Sequence, residues 1–281
     1  MSIVVTGATG PLGRLIIESL LNRGVSADQI VAVGRNIDRL AELAGRGVVT
    51  QRADYDDPEA LQAAFAGADK LMFVSGSEVG KRVVQHGNVV TAAKEAGVGL
   101  IVYTSIANAD SSSLALAAEH KATEQLIRDA GLPHVFLRNS WYLENYTAQL
   151  PTYREHGVAG AAGDGRVSAA TRADYAEAAA AVLTAEGQAG TVYELGGAPF
   201  TLTELAAEIS RQTGTEVSYV DLPVDKYTEL LVAAGLPEGY AAVLADGDRG
   251  LAQGELEVGD DLAKLLGRTP TTLAEAIRAA L

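Results

Sequence analysis

The residues best suited to chemistry lie in a glycine-rich loop near the start of the chain. The segment Thr6-Gly7-Ala8-Thr9-Gly10-Pro11-Leu12-Gly13 follows an apolar run and precedes an amphipathic one. In a strand–turn–helix unit, such glycines allow a tight turn, close approach of the backbone to a pyrophosphate, and close packing of helix on strand. The first N–H groups of the helix then face the phosphates. The loop therefore predicts a dinucleotide site, with a purely structural turn as the alternative. Its predicted members are Thr6, Gly7, Thr9, Gly10, Pro11, Leu12 and Gly13.

A second informative position ends the next apolar run, where Arg35 follows Gly34. An acidic residue there would hold the ribose 2′-hydroxyl of NAD, whereas an arginine offers several donors to the 2′-phosphate of NADP. Asp38 is acidic but falls one turn inside the next helical pattern. The sequence therefore favours NADP(H), unless Arg35 is a solvated surface residue.

The elements that must position these residues alternate along the first half of the chain. Apolar, β-branched runs predict strands at residues 3–6, 30–34, 48–52, 70–75, 100–105 and 135–138. Helical patterns lie between them at 12–23, 37–44, 58–65, 80–96 and 116–130. Strands that are apolar throughout suit a parallel sheet covered on both faces. We therefore expect an α/β fold with a doubly wound parallel sheet of the Rossmann type.

The strand–helix alternation stops near residue 138, and this change predicts the domain organisation. A polar, glycine-rich stretch and then a mostly helical remainder follow. We expect an NADP-binding Rossmann domain at 1–138, to which 167–196 returns. We expect a smaller, mostly helical lobe on the substrate side, formed by 139–166 and 197–281.

Some helix ends carry local signals. Asp57 supplies an N-cap before Pro58, whose missing N–H costs nothing at the first helical position. Thr201 and Glu204, and likewise Thr272 and Glu275, have the spacing of a capping box. These signals predict helices that begin at residues 58, 202 and 273.

Composition excludes several classes of protein. The 281 residues carry 22 Lys+Arg, 36 Asp+Glu and no cysteine, for a formal net charge of −14. The acidic excess argues against nucleic acid as a partner, and the missing cysteines exclude disulfides and thiolate chemistry. The four histidines lack metal-ligand spacing, so we expect no metal. We find neither a signal-peptide pattern nor a span-length apolar run, and we expect a cytoplasmic protein with no membrane partner. The sequence leaves open whether the protein forms a homodimer.

Four segments together resemble one family. They are the loop 6–13, Gly34-Arg35-Asn36, Ala53-Asp54-Tyr55 and Leu137-Arg138-Asn139-Ser140-Trp141-Tyr142. They are similar to NmrA-like proteins, which are atypical short-chain dehydrogenases/reductases, and most similar to the bacterial NADPH:quinone oxidoreductase branch and the triphenylmethane reductases. The resemblance implies NADP(H) as cofactor and hydride transfer to a planar, quinone-like small molecule.

The resemblance also implies roles for residues at the strand ends. Asp54 and Tyr55 match a position that contacts adenine. The remaining positions would line the cofactor trough, the nicotinamide ribose or the substrate mouth, and they are Phe73, Val74, Ser75, Thr104, Ser105, Asn139, Ser140 and Trp141. Ligands of such sheets bind outside the carboxyl ends of the strands. Each residue taken alone could equally be an ordinary loop residue.

Catalytic candidates are few, because the tyrosine that is typical of carbonyl-reducing short-chain dehydrogenases/reductases is absent. Carbonyl-reducing relatives carry Tyr-x-x-x-Lys, whereas Lys121 here is preceded at that spacing by Ala117. A ketone becomes an alkoxide that needs a proton donor, but a quinone becomes a stabilised, phenolate-like anion. The sequence therefore favours quinone reduction, with Lys121, Ser105 and Tyr142 as the catalytic candidates. Lys121 could also be a surface lysine, and Tyr142 a core residue.

Two other functions stay open at this point. A non-enzymatic NADP-binding redox sensor of the NmrA type would be compatible with the missing tyrosine, and a triarylmethane dye reductase would differ only in its pocket. Turnover, as opposed to binding alone, discriminates between an enzyme and a sensor.

Overall fold

The computed structural model describes residues 1–281, which divide into two compact units. Unit 1 comprises Met1–Ile106, Glu119–Arg138 and Arg172–Tyr193. Unit 2 comprises Ala107–Ala118, Asn139–Thr171 and Glu194–Leu281. The domain bounds expected from the sequence stay a prediction.

The strands form one large sheet and two small ones. In chain order they are β1 Ile3–Val5, β2 Ile30–Gly34, β3 Val49–Arg52, β4 Lys70–Phe73, β5 Leu100–Ile106, β6 His134–Asn139, β7 Val158–Gly160, β8 Arg166–Val167, β9 Val192–Leu195, β10 Phe200–Thr201 and β11 Tyr219–Asp221. The large sheet has the order β3-β2-β1-β4-β5-β6-β9. β8 pairs with β10 antiparallel, and β7 pairs with β11 parallel. The order of the large sheet is that of a doubly wound Rossmann fold, which confirms the predicted fold class.

The helices follow the same alternation in the first half of the chain. They are α1 Pro11–Asn22, α2 Ala41–Gly45, α3 Pro58–Phe65, α4 Arg82–Glu95, α5 Ala115–Asp129, α6 Glu144–Thr147, α7 Leu150–His156, α8 Arg172–Thr184, α9 Leu202–Thr213, α10 Val224–Ala233, α11 Glu238–Ala252, α12 Asp261–Leu266 and α13 Leu273–Ala280. The predicted helix at 37–44 is a 3-10 turn at Ile37–Leu40 followed by α2. None of these helices has both the length and the apolar character that crossing a membrane requires.

The core of unit 1 explains why its strands are apolar on both faces. All seven residues of β5 are buried, because helices cover both sides of a parallel sheet. α1 packs against α8. The buried face of α8 includes Ala176, Ala179 and Ala180, and such small side chains let two helix axes approach closely.

Local capping signals act as the sequence predicts. Asp57 caps α3 by accepting from the Ala60 N–H at 3.0 Å. Thr201 and Thr272 each form a complete capping box, at the starts of α9 and α13. Each box satisfies N–H groups that the first helical turn leaves unpaired.

A buried ion pair joins β5, α5 and β6 inside unit 1. Glu124 is fully buried, and its carboxylate accepts from Arg138 Nε at 2.9 Å and Nη2 at 2.7 Å. The Ser105 hydroxyl donates to the same carboxylate at 2.7 Å, and Arg128 lies 3.1 Å from it. Removing one partner of such a pair leaves a buried charge without compensation.

We predict that Glu124→Leu lowers the free energy of unfolding by about 3–5 kcal/mol, because Arg138 then stays buried without its counter-charge. The double variant Glu124→Leu/Arg138→Met should recover most of this loss, because it replaces the whole pair by apolar groups. Guanidinium unfolding of both variants measures the difference. Equal losses in the single and double variants would contradict the role given to the pair.

Candidate functional site

The glycine-rich loop joins β1 to α1. Close packing leaves no space for a side chain at Gly13 in the loop or at Gly34 beside it. Gly7 has a φ of +61°, which L side chains rarely adopt. A Cβ on Gly13 would collide with the carbonyl oxygen of Gly7 and lie 2.7 Å from its carbonyl carbon. A Cβ on Gly34, at the end of β2, would lie 2.6 Å from Thr9 Cγ2. The loop is therefore shaped by close backbone packing, as its spacing predicts.

The N-terminus of α1 is open to an anion. Gly10 is the N-cap and supplies no side-chain hydrogen bond, and Pro11 has no N–H. The N–H groups of Leu12 and Gly13 have no acceptor within the helix by α-helical geometry. Backbone donors at a helix start, beside glycines that let a ligand approach, suit a diphosphate. The residues present therefore fit the dinucleotide predicted from the sequence.

Tyr55 connects the loops that follow three strands of unit 1. Its hydroxyl donates to the carbonyl oxygen of Val74 at 2.6 Å and lies 2.7 Å from Thr6 Oγ1. Thr6 Oγ1 in turn accepts from the Val74 N–H at 3.1 Å. Burial raises the pKa of Tyr55, so the hydroxyl stays a donor at neutral pH. The structure thus brings together three predicted cofactor residues, Thr6, Tyr55 and Val74.

Arg35 lies at the carboxyl end of β2 and faces acidic side chains. Its Nη1 donates to Glu78 Oε1 at 2.9 Å, and its Nε lies 4.0 Å from Asp54 Oδ2. The Arg35 side chain is 61% exposed, so a ligand phosphate can reach it from solvent. Glu78 also accepts from Lys81 at 3.1 Å, and the Lys81 hydrogen bond, followed by the Lys81 charge, lowers the pKa of Glu78. Sequence reasoning missed Glu78, because it is far from Arg35 along the chain.

The ends of β4 and β5 are joined by one side chain. Thr104 Oγ1 accepts from the Ser75 N–H at 2.8 Å. Phe73 is fully buried, with its ring 5.0 Å from Tyr103 and 4.8 Å from His86, centroid to centroid. Thr104 and Ser75 therefore sit together at the carboxyl edge of the sheet, whereas the Phe73 side chain belongs to the core.

A buried histidine holds the loop after β4. His86 on α4 accepts from the Gly76 N–H at Nε2, at 2.9 Å, and its Nδ1 lies 2.8 Å from Thr123 Oγ1. Burial, with a further contribution from the Arg82 charge, lowers the pKa of His86 to about 3. Sequence reasoning gave His86 no role, because a lone histidine in a helical pattern carries no local signal.

The two catalytic candidates of unit 1 lie in different surroundings. The Ser105 side chain is buried and donates to Glu124. Lys121 is exposed on α5. Ala117 stands one turn earlier on α5 and is buried. Ser105 therefore contributes to the ion-pair network, while Lys121 is accessible to solvent and to ligands.

The remaining predicted residues belong to unit 2. Asn139 is buried, and its side-chain oxygen has no hydrogen-bond partner. Ser140 Oγ donates to the carbonyl oxygen of Leu256 at 2.7 Å. Trp141 and Tyr142 are half-buried beside Ala170, to which Tyr142 forms an isolated β-bridge. An unpaired buried amide oxygen can accept from a donor outside the chain.

The doubly wound sheet and the glycine loop at its first βα turn define a dinucleotide-binding protein of the Rossmann type. The chain belongs to the NmrA-like family, which it matches over residues 1–275. This match confirms the resemblance carried by the four sequence segments.

Relatives and solved structures cover the whole chain. The chain is 49% identical over 278 residues to quinone oxidoreductase 2 of Escherichia coli (strain K12), covering 98% of this chain and 97% of that protein. The structure matches Escherichia coli NADPH-dependent quinone oxidoreductase complexed with NADPH, with a TM-score of 0.96, 48% identity and 99% of each chain covered. It also matches Citrobacter sp. triphenylmethane reductase complexed with NADP(H), with a TM-score of 0.95, 41% identity and 100% of each chain covered.

We predict that Gly13→Ala lowers the free energy of unfolding by about 1–3 kcal/mol, because the new methyl group overlaps the Gly7 carbonyl and forces the backbone to shift. The same shift should weaken binding of NADPH. Gly87→Ala is the matched control: Gly87 lies within α4 with nothing within 4 Å of a new Cβ, and the change should stabilise the protein by about 0.5–1 kcal/mol. Thermal unfolding and NADPH titration report both quantities. Similar behaviour of the two variants would contradict the close packing at Gly13.

Proposed function

We propose that this chain is an NADPH-dependent oxidoreductase that reduces a quinone. The observation that carries the proposal is the 49% identity to quinone oxidoreductase 2 along almost the entire chain. The glycine loop, the open N-terminus of α1 and the exposed Arg35 support NADPH as the cofactor. We further propose a cytoplasmic location and a small-molecule acceptor.

The chain's own residues would bind and orient the cofactor. Leu12 and Gly13 would present their backbone N–H groups to the diphosphate, and Arg35 would take the 2′-phosphate in exchange for Glu78. Asp54 and Tyr55 remain the proposed adenine contacts, and the proposed nicotinamide-side contacts are Thr104, Asn139, Ser140 and Trp141. When bound, NADPH supplies the hydride equivalent that reduces the acceptor.

The absence of a tyrosine at position 117 supports a quinone over a ketone as acceptor. Ala117 is buried on α5 and carries no titratable group. Reduction of a ketone would need a proton donor at that place, whereas a reduced quinone spreads its negative charge over an aromatic ring. Lys121 stays a proposed source of positive charge for this anion.

A second candidate function is reduction of a triarylmethane dye. It is favoured by the 41% identity and full coverage shared with triphenylmethane reductase. Both acceptors are conjugated, electron-poor and reducible by a hydride, so one pocket can suit either. The dye is a cation, whereas a quinone is neutral. The rates of NADPH oxidation with each acceptor at equal concentration show which one the protein reduces faster.

We predict that the protein oxidises NADPH when a simple benzoquinone is added, with loss of absorbance at the reduced-nicotinamide band. The assay should be run with a panel of quinones and triarylmethane dyes, and with Gly13→Ala as the variant of weakened cofactor binding. Binding of NADPH without turnover on any member of the panel would contradict the proposal and support an NADP-binding sensor.

We predict that Arg35→Ala weakens binding of NADPH about tenfold to a hundredfold, because charge-assisted hydrogen bonds to the 2′-phosphate contribute about 1.5–3 kcal/mol. Affinity for NADH, which lacks this phosphate, should change little. Arg23→Ala, at the other end of α1, removes the same charge and should leave both affinities as they are. Titration by nicotinamide fluorescence measures them. An equal loss for NADPH and NADH would remove Arg35 from the phosphate role.

A further inference from the structure

One carboxylate in unit 1 holds two cations at the carboxyl edge of the sheet. Glu78 lies between β4 and α4, and its Oε1 accepts from Arg35 Nη1 at 2.9 Å. Its other oxygen, Oε2, accepts from Lys81 Nζ at 3.1 Å. Each oxygen of the carboxylate is therefore paired with a different cation. The three side chains form an anion site in which the anion belongs to the chain itself.

The loop that carries Glu78 is fixed on both sides of this residue. Before it, the Gly76 N–H donates to His86 Nε2 at 2.9 Å. After it, the Gly80 N–H donates to Glu119 Oε1 at 2.9 Å. The Glu78 side chain itself is 34% exposed. The carboxylate can therefore turn towards solvent while the backbone of the loop stays in place.

The two cations are already matched by carboxylates before any ligand binds. Glu78 pairs with Arg35 and with Lys81, and Asp54 Oδ2 lies 4.0 Å from Arg35 Nε. Lys81, like Arg35, is largely exposed, so a ligand can reach both from solvent. A carboxylate that stayed beside an incoming anion would repel it. An anion therefore gains the full attraction of both cations only when Glu78 leaves them.

A phosphate monoester suits the position that the Glu78 carboxylate occupies. It carries about 1.5 to 2 negative charges at neutral pH and three acceptor oxygens, whereas a carboxylate carries one charge and two oxygens. Arginine binds phosphate through two parallel donors, and lysine binds it as a point charge. A nucleotide with a ribose 2′-phosphate can therefore displace Glu78 from the cations, whereas one with a 2′-hydroxyl cannot.

We infer that Glu78 competes with the 2′-phosphate of NADPH for Arg35, and that Lys81 is a second ligand of this phosphate. The inference deepens the proposed function, because it rests on Arg35 as the 2′-phosphate site. In the free protein Glu78 neutralises both cations. In the complex the phosphate takes both cations, and Glu78 turns to solvent. Glu78 thus limits the affinity for NADPH and reduces the preference for NADPH over NADH.

The competition is tested by Glu78→Gln, which removes the charge and keeps the size of the side chain. NADPH should bind about threefold to tenfold more tightly, because no ion pair has to be broken and no carboxylate repels the phosphate. Affinity for NADH, which lacks the phosphate, should change less than about twofold. Glu95→Gln, an exposed change of the same charge at the other end of α4, should leave both affinities unchanged. Titration by nicotinamide fluorescence, without an acceptor, measures them.

The role of Lys81 is tested by Lys81→Met, which removes the charge and keeps most of the apolar stem. NADPH should bind about threefold to tenfold more weakly, and NADH as before. Lys94→Met, an exposed change in the last turn of α4, is the matched control. The double variant Glu78→Gln/Lys81→Met shows whether Lys81 acts on the phosphate directly. It should bind NADPH more weakly than Glu78→Gln does, because one phosphate ligand is missing.

The outcomes separate the inference from the proposed function. Unchanged NADPH affinity in Glu78→Gln overturns the competition, and so does weaker binding, which would mean that Glu78 orients Arg35 for the phosphate. Equal NADPH affinities of Glu78→Gln and the double variant overturn the role of Lys81 as a ligand. Tighter NADPH binding in Glu78→Gln, without turnover on any quinone, supports the inference and contradicts the proposed function instead.

Discussion

The contact between the Gly7 carbonyl and Gly13 sets the geometry of unit 1. Because a hydrogen atom alone fits between them, α1 begins directly against the end of β1, and its first N–H groups open at the carboxyl edge of the sheet. The rest of α1 then packs on α8. A side chain at position 13 would lift the helix and turn its N-terminus away from a bound diphosphate. Cofactor binding and packing of the first layer therefore share one steric requirement.

Much of unit 1 could be predicted from the sequence, because its signals are local. The glycine loop and the Asp57 cap each depend on residues close together in the chain, and the structure contains both. The capping box at Thr201, in unit 2, is local in the same way. The doubly wound sheet follows from strands and helices that alternate at short spacing. Arg35 could be located for the same reason, since it directly follows a strand.

Other features could not be predicted, because they join residues far apart in the chain. The polar stretch 139–166 contains α6, α7, β7 and the first residue of β8, and these elements are too short for a periodic pattern to reveal. The sequence marks Ser105 as a residue near the end of a strand. It does not reveal that the Ser105 hydroxyl donates to Glu124, which lies on α5. Such sites depend on tertiary packing rather than on local propensity.

The His86 bridge has a consequence for the loop that carries Glu78. A backbone N–H can only donate, so His86 Nε2 must carry no proton, and Nδ1 must hold the ring hydrogen and direct it to Thr123 Oγ1. The Thr123 hydroxyl donates to the Glu119 carbonyl oxygen. Donor and acceptor are therefore fixed in each hydrogen bond from Gly76 through His86 and Thr123 to Glu119. Only one tautomer of His86 is compatible with this arrangement. Because burial lowers the pKa of His86 to about 3, its Nε2 stays an acceptor for the Gly76 N–H across the physiological pH range.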